Sequence, residues 1–261
     1  MRAFGGAIIF SFPLLMTMEM WWLGFYMDRA RLLLFLLLNA AVLVGLAYFA
    51  GFEKTDDVKD SALDALAAYA VGVLASAAAL ALFGIITPAM PLGEIVGKIA
   101  VQAVPASIGA VVARKQLGTS GDDDDQDEKE RRAGYLGQLF LMLAGALFLA
   151  FNVAPTEEMI LIAFKMTPWH GLAMVAVSVL LLHAFVYSVG FSGQEEIGED
   201  GPWSAFLKYS LAGYGIALAV SLYVLWTFGR TEGAELTQVA MMTAVLGLPA
   251  ALGAAVARLI V

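Results

Sequence analysis

The sequence predicts an all-α polytopic membrane protein of about eight transmembrane helices, built as two four-helix parallel repeats. Three observations carry this. Hydrophobic residues make up 61% of the 261 residues and charged ones 15%, against roughly 25% charge in soluble domains; the mean hydropathy is +0.80. Apolar runs recur along the whole chain, each near the ~20 residues that a helix needs to cross a bilayer. Short polar motifs inside those runs occur twice.

The apolar spans fall at about 3–27, 32–52, 61–87, 92–114, 136–166, 169–191, 203–229 and 234–260. The first follows Arg2 but offers no small-residue cleavage site, since Trp21, Trp22 and Phe25 occupy that region, so a removable signal peptide is not expected. The fifth is longer than a simple span and contains Pro155, which should kink or break it. The fourth carries Glu94 and Lys98.

The repeat emerges from aligning the first and fifth spans. Met16 to Met27 matches Pro155 to Met166 at a constant offset, with Thr, Glu, Met, Phe and Met identical, and Gly6 falls on Gly145. Gly51-Phe52 falls on Gly190-Phe191. The decapeptide Pro105 to Arg114 matches Pro249 to Arg258 at seven of ten positions, Gly109 on Gly253 among them. Close helix packing is the ordinary use of such glycines. The expected organisation is a first membrane repeat at 1–117, an acidic cytoplasmic linker at 118–134, and a second repeat at 135–261. An even number of spans per repeat gives both the same orientation, the parallel kind of internal symmetry.

Ten Lys and Arg residues collect on the N-terminal side of the spans (Arg2, Lys54, Lys59, Arg114, Lys115, Lys129, Arg131, Arg132, Lys208, Arg258) and five on the other (Arg29, Arg31, Lys98, Lys165, Arg230). The positive-inside rule then places both termini in the cytoplasm of a bacterial inner membrane. Trp21, Trp22, Trp169 and Trp226 fall near the outer face, as an aromatic belt would. The net charge of −8 comes mostly from loops, above all Asp122 to Glu128, which reads as a solvated linker. No basic patch for nucleic acid is present. With no cysteine, thiolate metal sites and disulfides are excluded.

Glu19 and Glu158 are the leading site residues. Each is an acid inside an apolar helix, and intramembrane acids are costly enough to mark function. The repeat predicts them at one depth in the outer half of the membrane, facing a common axis. Two carboxylates there would share a proton or hold a cation between them. Thr17, Thr156 and Asn152 supply further oxygens nearby. Pro13 and Pro155 should free backbone carbonyls, the other usual ingredient of a membrane cation site. A hard cation or a proton suits such ligands. Solvation at the interface, or a structural pairing with Lys98, Arg29 or Arg31, is the plainer alternative.

Secondary candidates are Glu157, which is extra to the repeat; His183, mid-span in the sixth helix; and Glu94 with Lys98, spaced as an intrahelical ion pair. Asn39 is a weaker polar position. There is no phosphate-binding glycine loop, zinc-binding His-Glu-x-x-His or Gly-x-Ser-x-Gly elbow.

Met18-Glu19-Met20-Trp21-Trp22, together with Phe151-Asn152-Val153-Ala154-Pro155-Thr156-Glu157-Glu158, resembles an uncharacterised bacterial family of integral membrane proteins, a domain of unknown function. The resemblance covers most of the chain and implies no catalytic residues. The expectation from the residues is a cation channel or transporter, with proton coupling as one form of it, partnered by the bilayer and a small cation or proton. No cofactor is expected beyond a bound cation of unassigned identity. Oligomeric state, including a homo-oligomer, stays open. The alternative is a non-transporting assembly or sensor protein. An intramembrane lipid enzyme is disfavoured, because only Thr/Glu pairs are available.

Overall fold

The computed structural model describes residues 2–49, 58–116, 123–188, 203 and 206–260. Among these every regular element is a helix, and seven helices are long and apolar enough to cross a membrane, or eight if a bent pair counts as one span. The chain divides into two compact units, Met1–Asp122 and Asp123–Val261.

The first unit contains α1 (Arg2–Leu15), α2 (Met18–Tyr26), α3 (Arg29–Phe49), α4 (Val58–Leu82) and α5 (Leu92–Gln116). Its centre is α5, which packs against each of the other four. It is the most enclosed membrane-length helix, with 72% of its apolar window buried. The sequence permits this because small residues (Gly97, Ala100, Ala103, Ala106, Gly109, Ala110) lie on several sides of it. A Cβ added at Gly109 would meet the Gly6 carbonyl oxygen of α1 at 2.8 Å. A Cβ at Gly72 of α4 would meet the Ala103 carbonyl oxygen at 2.8 Å. Backbones this close exclude any larger residue.

The second unit contains α6 (Asp123–Val153), α7 (Glu157–Lys165), α8 (Pro168–Ser188), a single π-helical turn at Phe206–Leu211, α9 (Ala212–Thr227) and α10 (Leu236–Ile260). From Asp123 the chain is helical, and Gly134, at φ 60°, separates that stretch from the membrane-length part of α6, Gly134–Val153. Residues 118–122 of the expected linker lie outside the described residues, as do the Gly51-Phe52 and Gly190-Phe191 matches. Here α10 is the central helix and touches α6, α7, α8 and α9. Gly253 of α10 lies against the Gly145 carbonyl of α6.

Element bounds recur at fixed spacings. Met18–Tyr26 and Glu157–Lys165 differ by 139 residues at both ends, as do the helix starts Arg29 and Pro168. The helix starts Leu92 and Leu236 differ by 144. Both α4 and α9 run into a Phe-Gly pair. Gly84 (φ 69°) and Gly229 (φ 73°) take the left-handed conformation that ends a helix, and the next N–H reaches back to Leu80 at 2.9 Å or to Leu225 at 2.8 Å.

One expectation fails. The first span is not continuous over 3–27: α1 and α2 meet at 90° around Met16 and Thr17. Pro13, expected to disturb the helix, remains inside α1. The break comes instead at Thr17, whose backbone is extended (φ −102°, ψ 112°), and whose hydroxyl donates back to the Pro13 carbonyl at 2.7 Å. In the second unit the break falls where the proline predicts it, with α6 ending at Val153 and α7 starting at Glu157.

Candidate functional site

The two breaks place both leading acids. Thr17 and Thr156 are the N-cap residues of α2 and α7, and Glu19 and Glu158 each stand in the first turn that follows. Glu19 is therefore not inside an unbroken membrane helix, as the sequence suggests, while Glu158 follows the break expected at Pro155. They start short helices of nine residues, where the partial positive charge of the helix N-terminus favours an acid. Glu19 is half-buried, while Glu157 and Glu158 are exposed. Neither leading acid makes a hydrogen bond or an ion pair among the described residues. Glu19 belongs to the first unit and Glu158 to the second.

A helix that stops inside a membrane leaves carbonyls without donors, and those of α1 are all occupied. The Phe12 carbonyl accepts from the Met16 N–H at 3.1 Å and Leu14 from Thr17 N–H at 3.1 Å. The Thr17 hydroxyl covers Pro13. The Trp21 indole N–H donates to the Leu15 carbonyl at 2.9 Å. The buried Gln102 amide of α5 donates a second bond to Leu14 at 3.0 Å. At the bend before Glu19 the protein thus fills the last carbonyls of α1 with its own donors.

The second unit solves the same problem with a cation. The Arg230 guanidinium donates to the Pro155 carbonyl. Thr156 donates through its N–H (3.1 Å) and its hydroxyl (2.8 Å) to the Val153 carbonyl. Asn152, expected near Thr156 as a further oxygen, donates its amide N–H to the Phe148 carbonyl at 2.8 Å, one turn back on its own helix. Arg230 immediately follows Gly229, so the helix-ending glycine sets where the guanidinium emerges. At the spacing that matches Phe83-Gly84 to Phe228-Gly229, the first unit has Ile85 in its place.

Glu94 and Lys98 form an ion pair of 2.6 Å along α5. Lys98 is buried, and its backbone lies against Gly24 of α2. His183 on α8 pairs with the buried Ser210 hydroxyl at 2.9 Å and stacks edge-on to Phe206 with ring centroids 5.2 Å apart. Both partners belong to the π-helical turn. The Asn39 amide donates to Ser107 at 3.0 Å, and its side chain also faces the Tyr69 hydroxyl; in the second unit Ser178 faces Tyr214.

Among the described residues no three His, Asp or Glu side chains gather as a metal site requires. A cleft of about 250 Å³ in the second unit does not include Glu158 in its lining. It is lined by Ala163, Phe164, Met166, Pro168, Thr237, Gln238, Met241 and Met242.

Sequence reasoning missed the carbonyl-capping side chains Gln102 and Arg230. A polar Gln in the middle of an apolar span was the available signal for the first. The Phe-Gly helix ending was the signal for the second.

Residues 1–261 match the family model described as "Putative integral membrane protein (DUF2391)", a domain of unknown function, and the chain belongs to that family. No curated protein and no solved structure matches it.

Proposed function

Taking membership of an integral membrane family as the premise, we propose that the protein is a cation-handling transporter or channel made of two duplicated units, each using the acid that follows its helix break. One observation carries the reading. Each unit interrupts an apolar helix at a Thr and sets, two residues later, a carboxylate with no partner among the described residues (Glu19, Glu158). Interrupted helices are the recurring device by which transporters expose charge-binding groups within a membrane. The duplication is supported by the shared element spacings, the glycine contacts of Gly6 with Gly109 and of Gly145 with Gly253, and the two Phe-Gly helix endings.

The filled carbonyls at the end of α1 argue for a carboxylate site without backbone ligands at Glu19, which suits a proton or a partly hydrated cation better than a stripped one. They also favour a second reading, a non-transporting membrane protein in which the breaks shape the surface and the acids stabilise helix ends. The test is flux. Protein reconstituted in liposomes should pass H⁺, Na⁺, K⁺ or Ca²⁺, followed with pH- and ion-sensitive dyes. The Glu19→Gln/Glu158→Gln double variant should lose at least tenfold of that flux while staying folded. Wild-type flux in the double variant defeats the transport reading, and so does the absence of flux for all four ions in the wild type.

A further inference from the structure

The geometry points to a binding site for an anionic phospholipid in the second unit, with one acyl chain in the cleft between α7, α8 and α10 and its phosphate at Lys165. This inference does not depend on the transport reading. The cleft is lined by the end of α7 (Ala163, Phe164), by Met166 and Pro168 at the start of α8, and by the first two turns of α10 (Thr237, Gln238, Met241, Met242). Membrane-length spans begin at Pro168 and at Leu236. The cleft therefore opens where two spans meet the bilayer surface, so lipid is the surrounding medium.

Its chemistry suits an amphiphile. Met166, Met241 and Met242 give a wall of flexible thioethers that adapts to a chain, while Thr237 and Gln238 give the same wall a polar portion. About 250 Å³ is below the range of whole small-molecule sites, roughly 300–1,000 Å³, and fits part of a chain. Lys165, in the last turn of α7 between the lining residues Phe164 and Met166, is exposed and has no acidic partner among the described residues. A lysine near a membrane surface attracts anionic headgroups.

The first unit shows that the cleft is specific to the second. At the matching spacings, Gly24 and Gly97 replace Ala163 and Met241, and α2 closes onto the Gly97 and Lys98 backbone. Tyr26 replaces Lys165, and the Arg29 guanidinium lies over Gly93, where the second unit has Thr237.

Native mass spectrometry of the detergent-solubilised protein tests this, with dioleoyl phosphatidylglycerol and dioleoyl phosphatidylcholine as probes. The wild type should retain one phosphatidylglycerol at least tenfold more strongly than phosphatidylcholine. Lys165→Gln should remove the headgroup preference, and Ala163→Leu should lower retention of both lipids. Because Lys165 is exposed, Lys165→Gln tests the site even if Ala163→Leu fails to fold. Equal retention of the two lipids by the wild type overturns the proposal, as does unchanged phosphatidylglycerol retention in Lys165→Gln. A peptide or second chain that Ala163→Leu displaces, with no lipid adduct, also overturns it.

Discussion

The crossing of α2 over α5 in the first unit and the crossing of α7 over α10 in the second end in opposite states. In the first unit two glycines, Gly24 and Gly97, bring backbone against backbone, and the neighbouring Lys98 stays buried against Glu94 at 2.6 Å. In the second, Ala163 and Met241 stand at the matching positions and line a cleft of about 250 Å³. Polar groups follow the geometry. The closed crossing keeps a charged pair and the Gln102 amide in its interior, whereas α10 carries Gln238, Met242 and Leu246 at the matching positions. The open side draws its carbonyl-capping donor from a loop, as Arg230, instead of from the central helix. Two glycines thus mark the sealed joint, and an alanine and a methionine mark the open one.

The comparison is most easily broken at its glycines. Gly97→Leu would drive a side chain into the Gly24 backbone, a clash no rotamer avoids. The expected cost is at least about 3 kcal/mol, seen as loss of the monodisperse peak after heating. Ala163→Leu should cost less than about 1 kcal/mol in the same assay, because the cleft accepts the added atoms. Equal damage from both would mean the two joints do not differ as described.

Arg230→Met tests the next level. It strips the donor from the Pro155 carbonyl and should cost about 1–3 kcal/mol, read as a lower thermal midpoint in detergent. Gln102→Leu, which installs the residue found at position 246, should be milder. The Leu14 carbonyl keeps the Thr17 N–H, so the loss is one interhelical hydrogen bond, on average about 0.6 kcal/mol in a membrane. A Gln102→Leu effect larger than that of Arg230→Met would reverse the assignment of the two donors.

Much of the architecture was legible in the chain. Hydropathy located the spans to within a few residues, because desolvation of the helix surface is a local property of composition. Pro155 announced the second break, because a missing N–H is visible in the residue itself. The first break was not legible. Met16-Thr17-Met18 is apolar and lacks a proline at the bend, and its stability comes from Gln102, distant in sequence, and from Trp21 across the bend. The setting of Glu19 was misread for the same reason. A glutamate in the first turn of a new helix and one in the middle of a continuous helix have identical local sequence. The glycine matches carried more than expected. Gly6 meets Gly109 and Gly145 meets Gly253 because only absent side chains let two backbones touch, a requirement written at single positions.

The central helices α5 and α10 are each the last helix of their unit. During synthesis, α1 to α4 enter the membrane before the helix around which all of them pack. Until residue 116 has been made, Gly6, Gly24 and Gly72 have no backbone to close upon, and the carbonyl of Leu14 lacks its Gln102 donor. The first unit is thus assembled from the outside inward, and a chain cut after residue 91 would retain four helices without their common partner.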